Sequence, residues 1–264
     1  MKSLTLKAPA KINLGLSILG KLPNGYHQVK TIYCQVTLLD TVKIREIDEN
    51  VIKINCDDKS LPTNEENLVF KAASLFKKKV IMEKGLGIEL KKNIPVGSGL
   101  GGGSSDAAAV LKGLNHLWSL NLSKSKLIEL AKKIGADVAY QLNGGVQLEI
   151  QGGEKAGQFT SLGKLPNCFL LLCVPDLRIG SQEAYDRVED GEIGRNNLEE
   201  LIKTIKSQKL KRIAQNLHND FELWTFKKYP WLRKIKEEML KYGALGSLMS
   251  GKGSAVFGIF ENHN

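Results

Sequence analysis

At 264 residues, with 42% hydrophobic and 25% charged residues, the chain can bury one large or two modest cores, which excludes disorder over any long span. Its net charge of +10 favours anionic partners without naming one. Aromatic residues make up only 6%, and no aromatic-interleaved basic stripe of the kind that grips single-stranded nucleic acid is present.

From Ser3 to Asn55, apolar and polar residues alternate with the period of half-buried strands: Leu4, Leu6 and Ala8, then Ile12, Leu14, Leu16 and Ile18, then Val42, Ile44 and Ile47. The pattern predicts an antiparallel meander whose first two strands part at Pro9. Pro23-Asn24-Gly25 is a turn sequence; it closes a hairpin and puts Tyr26 and His27 at the rim. A helix is expected over 66–79, opened by the capping box Thr63-x-x-Glu66 and carrying Leu68, Val69, Ala72, Ala73, Leu75 and Phe76 as one apolar stripe. A strand over 86–90 follows.

Residues 95–109 then read Pro-Val-Gly-Ser-Gly-Leu-Gly-Gly-Gly-Ser-Ser-Asp-Ala-Ala-Ala. Glycines let the backbone take positive φ and let another group approach closely. Ser104 and Ser105 are good N-caps, Asp106 suits the positive end of a helix dipole, and Ala107–Val110 favour a helix that runs to about Trp118. A Gly-rich turn feeding a helix N-terminus offers several N–H groups to an anion, usually phosphate. Plain tight turns also precede helices, but three consecutive glycines with two capping serines favour the phosphate reading. The dinucleotide-binding scheme requires an acid about 20 positions on, and 118–122 contains none. The P-loop scheme requires a lysine after the last glycine, and none follows. The segment is a nucleotide loop of a third kind.

After Ser123 another helix, with Leu127, Leu130, Ala131 and Ile134 inward, is expected to stop at a left-handed Gly135. That places Asp137 in a short link before Gly144-Gly145. Strands are read over 146–150 and 169–174, with a domain boundary near 155 among the glycines between them. Helical patterns fall near 181–187, 197–205 and 231–241, and strands over 245–249 and 255–260. Between those last strands, Gly246-x-x-x-x-Gly251-Lys252 nearly imitates a P-loop, but Gly253 stands where a magnesium-binding hydroxyl is needed and a strand follows. It reads as a second tight glycine turn.

Cys34, Cys56, Cys168 and Cys173 show neither C-x-x-C nor zinc-ligand spacing and read as reduced thiols of a cytoplasmic protein. The apolar run 168–174 is far too short to span a bilayer, and Lys2, Lys7 and Lys11 interrupt the N-terminal apolar residues as a secretory signal would not.

Ala8-Pro-Ala-Lys-Ile-Asn-Leu14, Pro23-Asn-Gly-Tyr-His27, the segment 95–108, Gly135-Ala-Asp-Val138 and Met249-Ser-Gly-x-Gly-Ser254 together resemble the GHMP kinase superfamily, in the right order along the whole chain. The resemblance implies an α/β (α+β) two-domain fold. Its N-terminal ATP-binding domain, residues 1–155, would be of a ribosomal-protein-like α/β kind, and its C-terminal domain, 156–264, of a ferredoxin-like α+β kind, with the active site in the cleft between them. The Ala-Lys-Ile-Asn-Leu and Gly-Tyr-His elements narrow the resemblance to members that phosphorylate the 2-hydroxyl of a cytidine diphosphate-linked methylerythritol, using ATP and Mg²⁺.

Carried over residue by residue, Asp137 resembles the family's catalytic base and Lys11 its partner. Lys11 either orients Asp137 or stabilises the transferring phosphoryl group. Pro95, Val96, Gly97, Ser98, Gly99, Leu100, Gly101, Gly102, Gly103, Ser104 and Ser105 would hold the ATP triphosphate, with Ser104 or Ser105 as a candidate magnesium contact, and Asn67 would lie near the nucleoside. Asn13, Tyr26, His27, Asp137, Ser181 and Tyr185 match substrate positions, where stacking and edge hydrogen bonds select a pyrimidine. The family commonly has Ser-Thr where Gly180-Ser181 stands and a small residue where Lys252 stands. Neither nucleic acid nor membrane is an expected partner, and the expected state is a monomer or weak homodimer. The rival readings are a GHMP kinase acting on homoserine, mevalonate or a sugar, and a non-catalytic RNA-binding protein.

Overall fold

The opening alternation becomes two long strands, β1 (Ser3–Lys21) and β2 (His27–Ile47), in a computed structural model that describes residues 2–23, 25, 27–152, 157–187 and 198–262. The side chains of Ser181 and Gln182 also lie outside the description, as do residues 153–156, where the domain boundary is expected. The Gly25 N–H donates to the Leu22 carbonyl at 2.9 Å and closes the turn between β1 and β2. The expected break at Pro9 is absent, because β1 runs straight through it. On that stretch, among the described residues, β1 has β2 on one side only, its other neighbour pairing no earlier than Gly15. A proline without an N–H is tolerated on such an open edge.

The remaining elements, in order, are β3 (Ile52–Cys56), α1 (Leu68–Val80), β4 (Gly85–Lys91), α2 (Gly102–Leu117), α3 (Lys124–Lys132), α4 (Ala136–Asn143), β5 (Val146–Gln151), β6 (Gln158–Gly163), β7 (Phe169–Cys173), α5 (Ser181–Asp186), α6 (Glu199–Lys206), α7 (Leu210–Gln215), β8 (His218–Asn219), α8 (Phe221–Lys228), α9 (Pro230–Lys241), β9 (Gly246–Met249) and β10 (Val256–Phe260). They form two compact units, the first comprising Met1–Lys11, Gln35–Val96 and Gly101–Gly144, the second Ile12–Cys34, Gly97–Leu100 and Gly145–Asn264.

In the first unit, β3 lies parallel to β4, β4 antiparallel to the second half of β2, and the start of β1 beside β2. Helix α2 packs between α1 and α4, and α3 packs on α4. The alanine run places Ala107, Ala108, Ala109, Val110 and Leu111 all in the interior, so α2 is a buried helix rather than a surface one. Two expected helix ends move. The Asn67 side chain, not the Thr63 box, caps α1 by accepting the Val69 N–H at 2.9 Å. Gly135 is extended, with φ 170°, and opens α4 instead of ending α3 in a left-handed turn. Asp137 consequently stands in the first turn of a helix, not in a loop.

In the second unit, the first half of β2 pairs antiparallel with β5, β5 with β6, and the second half of β1 meets β8 in parallel at Gly15 and Leu16. A separate antiparallel sheet has the order β7-β10-β9, with α9 packed on β9 and β10. Ile18, Val29, Phe221, Trp224, Leu232, Met239, Met249 and Val256 share one core. Strands β6 and β8 and helices α7 and α8 have no counterpart in the sequence expectation; the helices are six and eight residues long, below the length at which periodicity declares itself.

Candidate active site

Lys11 lies in β1 with a buried side chain, and its Nζ stands 3.7 Å from Asp137 Oδ2, while the Asp137 side chain is 35% exposed. The lysine is held from the side as well. A Cβ on Gly101 would lie 3.0 Å from Lys11 Cγ and 3.1 Å from Cε, so the aliphatic stem crosses the bare backbone of a glycine whose φ is +71°. A larger residue there would be strained and would displace the stem. Lys11, Asp137 and the start of α2 are thus brought together, although they lie in three separate stretches of sequence.

The glycine loop enters its helix about one turn earlier than the sequence predicts. Helix α2 begins at Gly102, so Gly101 is its N-cap and Ser104 and Ser105 sit in the first turn instead of capping it. The reason is conformational: the left-handed φ at Gly101 turns the chain into the helix without a side-chain cap. Gly97, Gly99 and Gly101 all have positive φ, between 71° and 83°. Gly103 is exposed, and Ser105 is buried. Ser98 and Leu100 face inward and anchor the loop, the Ser98 carbonyl accepting the Ala255 N–H at 3.1 Å. At Gly99 a Cβ would stand 2.5 Å from the Ser250 carbonyl oxygen, so the second glycine turn closes directly on the first. The Ser250 hydroxyl joins them, donating to the Gly99 carbonyl at 3.3 Å and accepting the Asn13 N–H at 3.3 Å. Pro95 and Val96 border an open hollow of about 330 Å³ with Asp57, Asp58, Lys92, Asn93 and Ile94.

The expected substrate positions fall as follows. Asn13 is buried and donates through Nδ2 to Thr31 Oγ1 at 2.8 Å. His27 stacks on Tyr185, with ring centroids 5.5 Å apart and planes 15° from parallel, although the two are remote in sequence. Tyr185 in turn meets Phe221 edge-on at 5.2 Å. Tyr26 lies outside the described residues, and Ser181 opens α5 with its side chain likewise outside the description. Asn67, expected near the nucleoside, has both polar atoms engaged: Oδ1 caps α1 and Nδ2 donates to the Pro62 carbonyl at 2.7 Å.

One charged cluster escaped the sequence reading. Lys92 Nζ donates to Asp106 Oδ2 at 2.6 Å and also to Asp40 Oδ2, and all three side chains are buried. Asp40 Oδ1 accepts the Asn93 and Ile94 N–H groups at 2.6 and 2.8 Å, fixing the chain just before the glycine loop. Burial pushes the Asp106 carboxyl up to about 7 against the pull of Lys92. For Lys92, burial disfavours the charge, but the two carboxylates outweigh it and hold its pKa above the usual lysine range. Asp106, read as a dipole residue, is instead one arm of this buried network.

A mixed α/β chain with a left-handed glycine loop opening a buried helix, and a lysine–carboxylate pair beside it, has the construction of a small-molecule kinase. The chain matches the model for the GHMP kinases N-terminal domain over residues 67–147 and that for the GHMP kinases C-terminal domain over 198–264. It is 42% identical to the 4-diphosphocytidyl-2-C-methyl-D-erythritol kinase of Clostridioides difficile (strain 630), over 99% of this chain and 88% of that one. A crystal structure of 4-(cytidine 5'-diphospho)-2C-methyl-D-erythritol kinase superposes with a TM-score of 0.81 at 31% identity, covering 97% of this chain and 90% of the other. The homoserine kinase of Cytophaga hutchinsonii, at 22% identity and a TM-score of 0.78 over 100% of this chain and 86% of that one, shares the fold. The chain therefore belongs, within the GHMP kinases, to the 4-diphosphocytidyl-2-C-methyl-D-erythritol kinase family, and it is an ATP-dependent phosphotransferase.

Proposed function

We propose that the chain transfers the γ-phosphoryl group of ATP to the 2-hydroxyl of 4-diphosphocytidyl-2-C-methyl-D-erythritol, giving the 2-phosphate and ADP, in the methylerythritol phosphate route to isoprenoid precursors. The observation that carries the mechanism is the Lys11–Asp137 pair at 3.7 Å, with the lysine stem lying across Gly101 of the glycine loop. Asp137 accepts the 2-hydroxyl proton as that oxygen attacks, and its partial exposure leaves the carboxylate accessible to an acceptor. The Lys11 ammonium, 3.7 Å from the carboxylate on a stem that crosses Gly101, orients Asp137 and offsets charge growing on the transferred group.

The triphosphate rests on residues 95–105, whose left-handed glycines and helix N-terminus suit an anion, and the nucleoside extends toward the hollow bordered by Pro95 and Val96, with Asn67 at the head of α1. Among the described residues no group of three or more His, Cys, Asp or Glu side chains is set to hold a metal. The hydroxyls of Ser104 and Ser105 are hard oxygen donors that fit Mg²⁺ carried mainly by phosphate oxygens. When bound, that ion neutralises charge on the phosphates. The stacked His27 and Tyr185, with Tyr26, Asn13 and Ser181, form the cytidine-selecting set, supported by the ring geometry of the first two. The division into domains 1–155 and 156–264 draws support from family models that end at 147 and resume at 198, while residues 12–34 and 97–100 group with the C-terminal part of the chain. Free cysteines support a cytoplasmic setting.

The test is to offer the purified protein ATP with 4-diphosphocytidyl-2-C-methyl-D-erythritol, homoserine or mevalonate in turn. Turnover of the cytidyl substrate alone is expected; turnover of either other acceptor in its place sinks the substrate assignment.

A further inference from the structure

Gly97 has φ +72° and no side chain, and the space a Cβ would take is occupied by Arg178: Cγ at 3.2 Å, Cδ at 3.4 Å and Nε at 3.6 Å. The arginine side chain therefore runs flat across the loop backbone. Its own backbone is pinned on both sides. The Ser254 hydroxyl donates to the Leu177 carbonyl at 2.6 Å, and Ile179 is buried, its Cδ1 3.2 Å from where a Cβ on Gly253 would stand. Between these anchors Arg178 is exposed, and among the described residues it has no ion-pair or hydrogen-bond partner. Exposed arginines ordinarily sweep through solvent and lose rotamer entropy when held. Here the stem is laid along a fixed surface, so less freedom remains to be lost when the guanidinium is engaged.

We propose that Arg178 is a phosphate-binding residue of this enzyme, gripping a nucleotide polyphosphate laid along Gly97–Leu100. The planar fork of a guanidinium pairs two oxygens of a phosphate at once, which a lysine does not reproduce. The inference rests on the proposed role of residues 95–105 as the phosphate loop. Two nucleotides of the reaction carry this chemistry, ATP through its triphosphate and the acceptor through its cytidine diphosphate, and the two arms of the experiment separate them.

The experiment compares steady-state kinetics of the wild type with Arg178→Gln and Arg178→Lys, varying ATP at saturating acceptor and then acceptor at saturating ATP. Arg178→Gln is expected to raise one of the two KM values about tenfold with kcat within about twofold, and Arg178→Lys to fall between it and the wild type. A rise in the ATP KM assigns the grip to the triphosphate; a rise in the acceptor KM assigns it to the cytidine diphosphate. Gly103→Val serves as the control for the loop. Gly103 is exposed, its Cβ would find its nearest neighbour at 3.7 Å, and bulk there obstructs an approaching phosphate without disturbing the core. If Gly103→Val raises the ATP KM while both Arg178 variants leave both KM values within twofold, the role of Arg178 is overturned and the loop assignment stands. If Gly103→Val also leaves the ATP KM unchanged, the loop assignment fails and the inference falls with it.

Discussion

Two lysine–carboxylate groups lie in the same compact unit and differ in almost every physical respect. Lys92 is enclosed with Asp40 and Asp106, donates to both, and helps fix the strand exit at Asn93 and Ile94. Lys11 stands 3.7 Å from Asp137, beyond a normal hydrogen bond, and that carboxylate is about one-third exposed. A buried, closely bonded network resists rearrangement and serves the frame. A looser pair with one accessible member can exchange a proton and accommodate a phosphoryl group. The distinction lies in burial and distance, since the residue types are the same.

The largest expected effect that bears on this contrast is Lys92→Met. Removing the cation leaves two buried carboxylates facing each other, and breaking a buried pair in this way costs about 3–5 kcal/mol. Chemical denaturation should show that loss. A loss below about 1 kcal/mol would mean that the cluster does not hold the frame.

Asp106→Asn sharpens the same side of the comparison through pH. The Asp106 carboxyl is raised from 3.8 to about 7 by burial, so the folded state binds its proton more tightly than the unfolded state does. Its contribution to stability is present in full below the unfolded pKa and declines as pH rises toward 7. The melting temperature of the wild type should therefore drop relative to Asp106→Asn between about pH 4 and pH 7 and run parallel to it above that. Parallel curves throughout would contradict the direction of the shift. A smaller effect is expected at Asn67, where Asn67→Ala removes the cap of α1 and costs about 1 kcal/mol. If the ATP KM also rises beyond what that loss explains, Asn67 contacts the nucleoside as well.

Much of this was legible in sequence, and what was not has identifiable causes. The strand alternation of Leu4 to Ile18 and the glycine loop announced themselves because period and conformation are local properties. Pro9 misled because its tolerance in β1 depends on which edge of the sheet is open, a tertiary fact. The sequence puts Asp137 in a loop because α4 is eight residues long and opens on an extended glycine, with no capping side chain to mark it. The Lys92 network was invisible because its members lie 52 and 14 positions apart and carry no motif. The packing of the Arg178 stem on Gly97 is silent in sequence for a related reason, since the two residues lie far apart in the chain and share no motif. His27 and Tyr185 are each expected from sequence to meet the cytidine; that the two rings stack on one another is visible only in the fold.

The central claim, that the looser pair is the catalytic one, is tested most directly at Asp137. In Asp137→Asn, ATP binding measured by titration calorimetry should stay within about threefold of the wild type, while turnover of the cytidyl substrate falls by about 10²–10⁴. Turnover within tenfold of the wild type, with ATP binding intact, would contradict the assignment of Asp137 as the base.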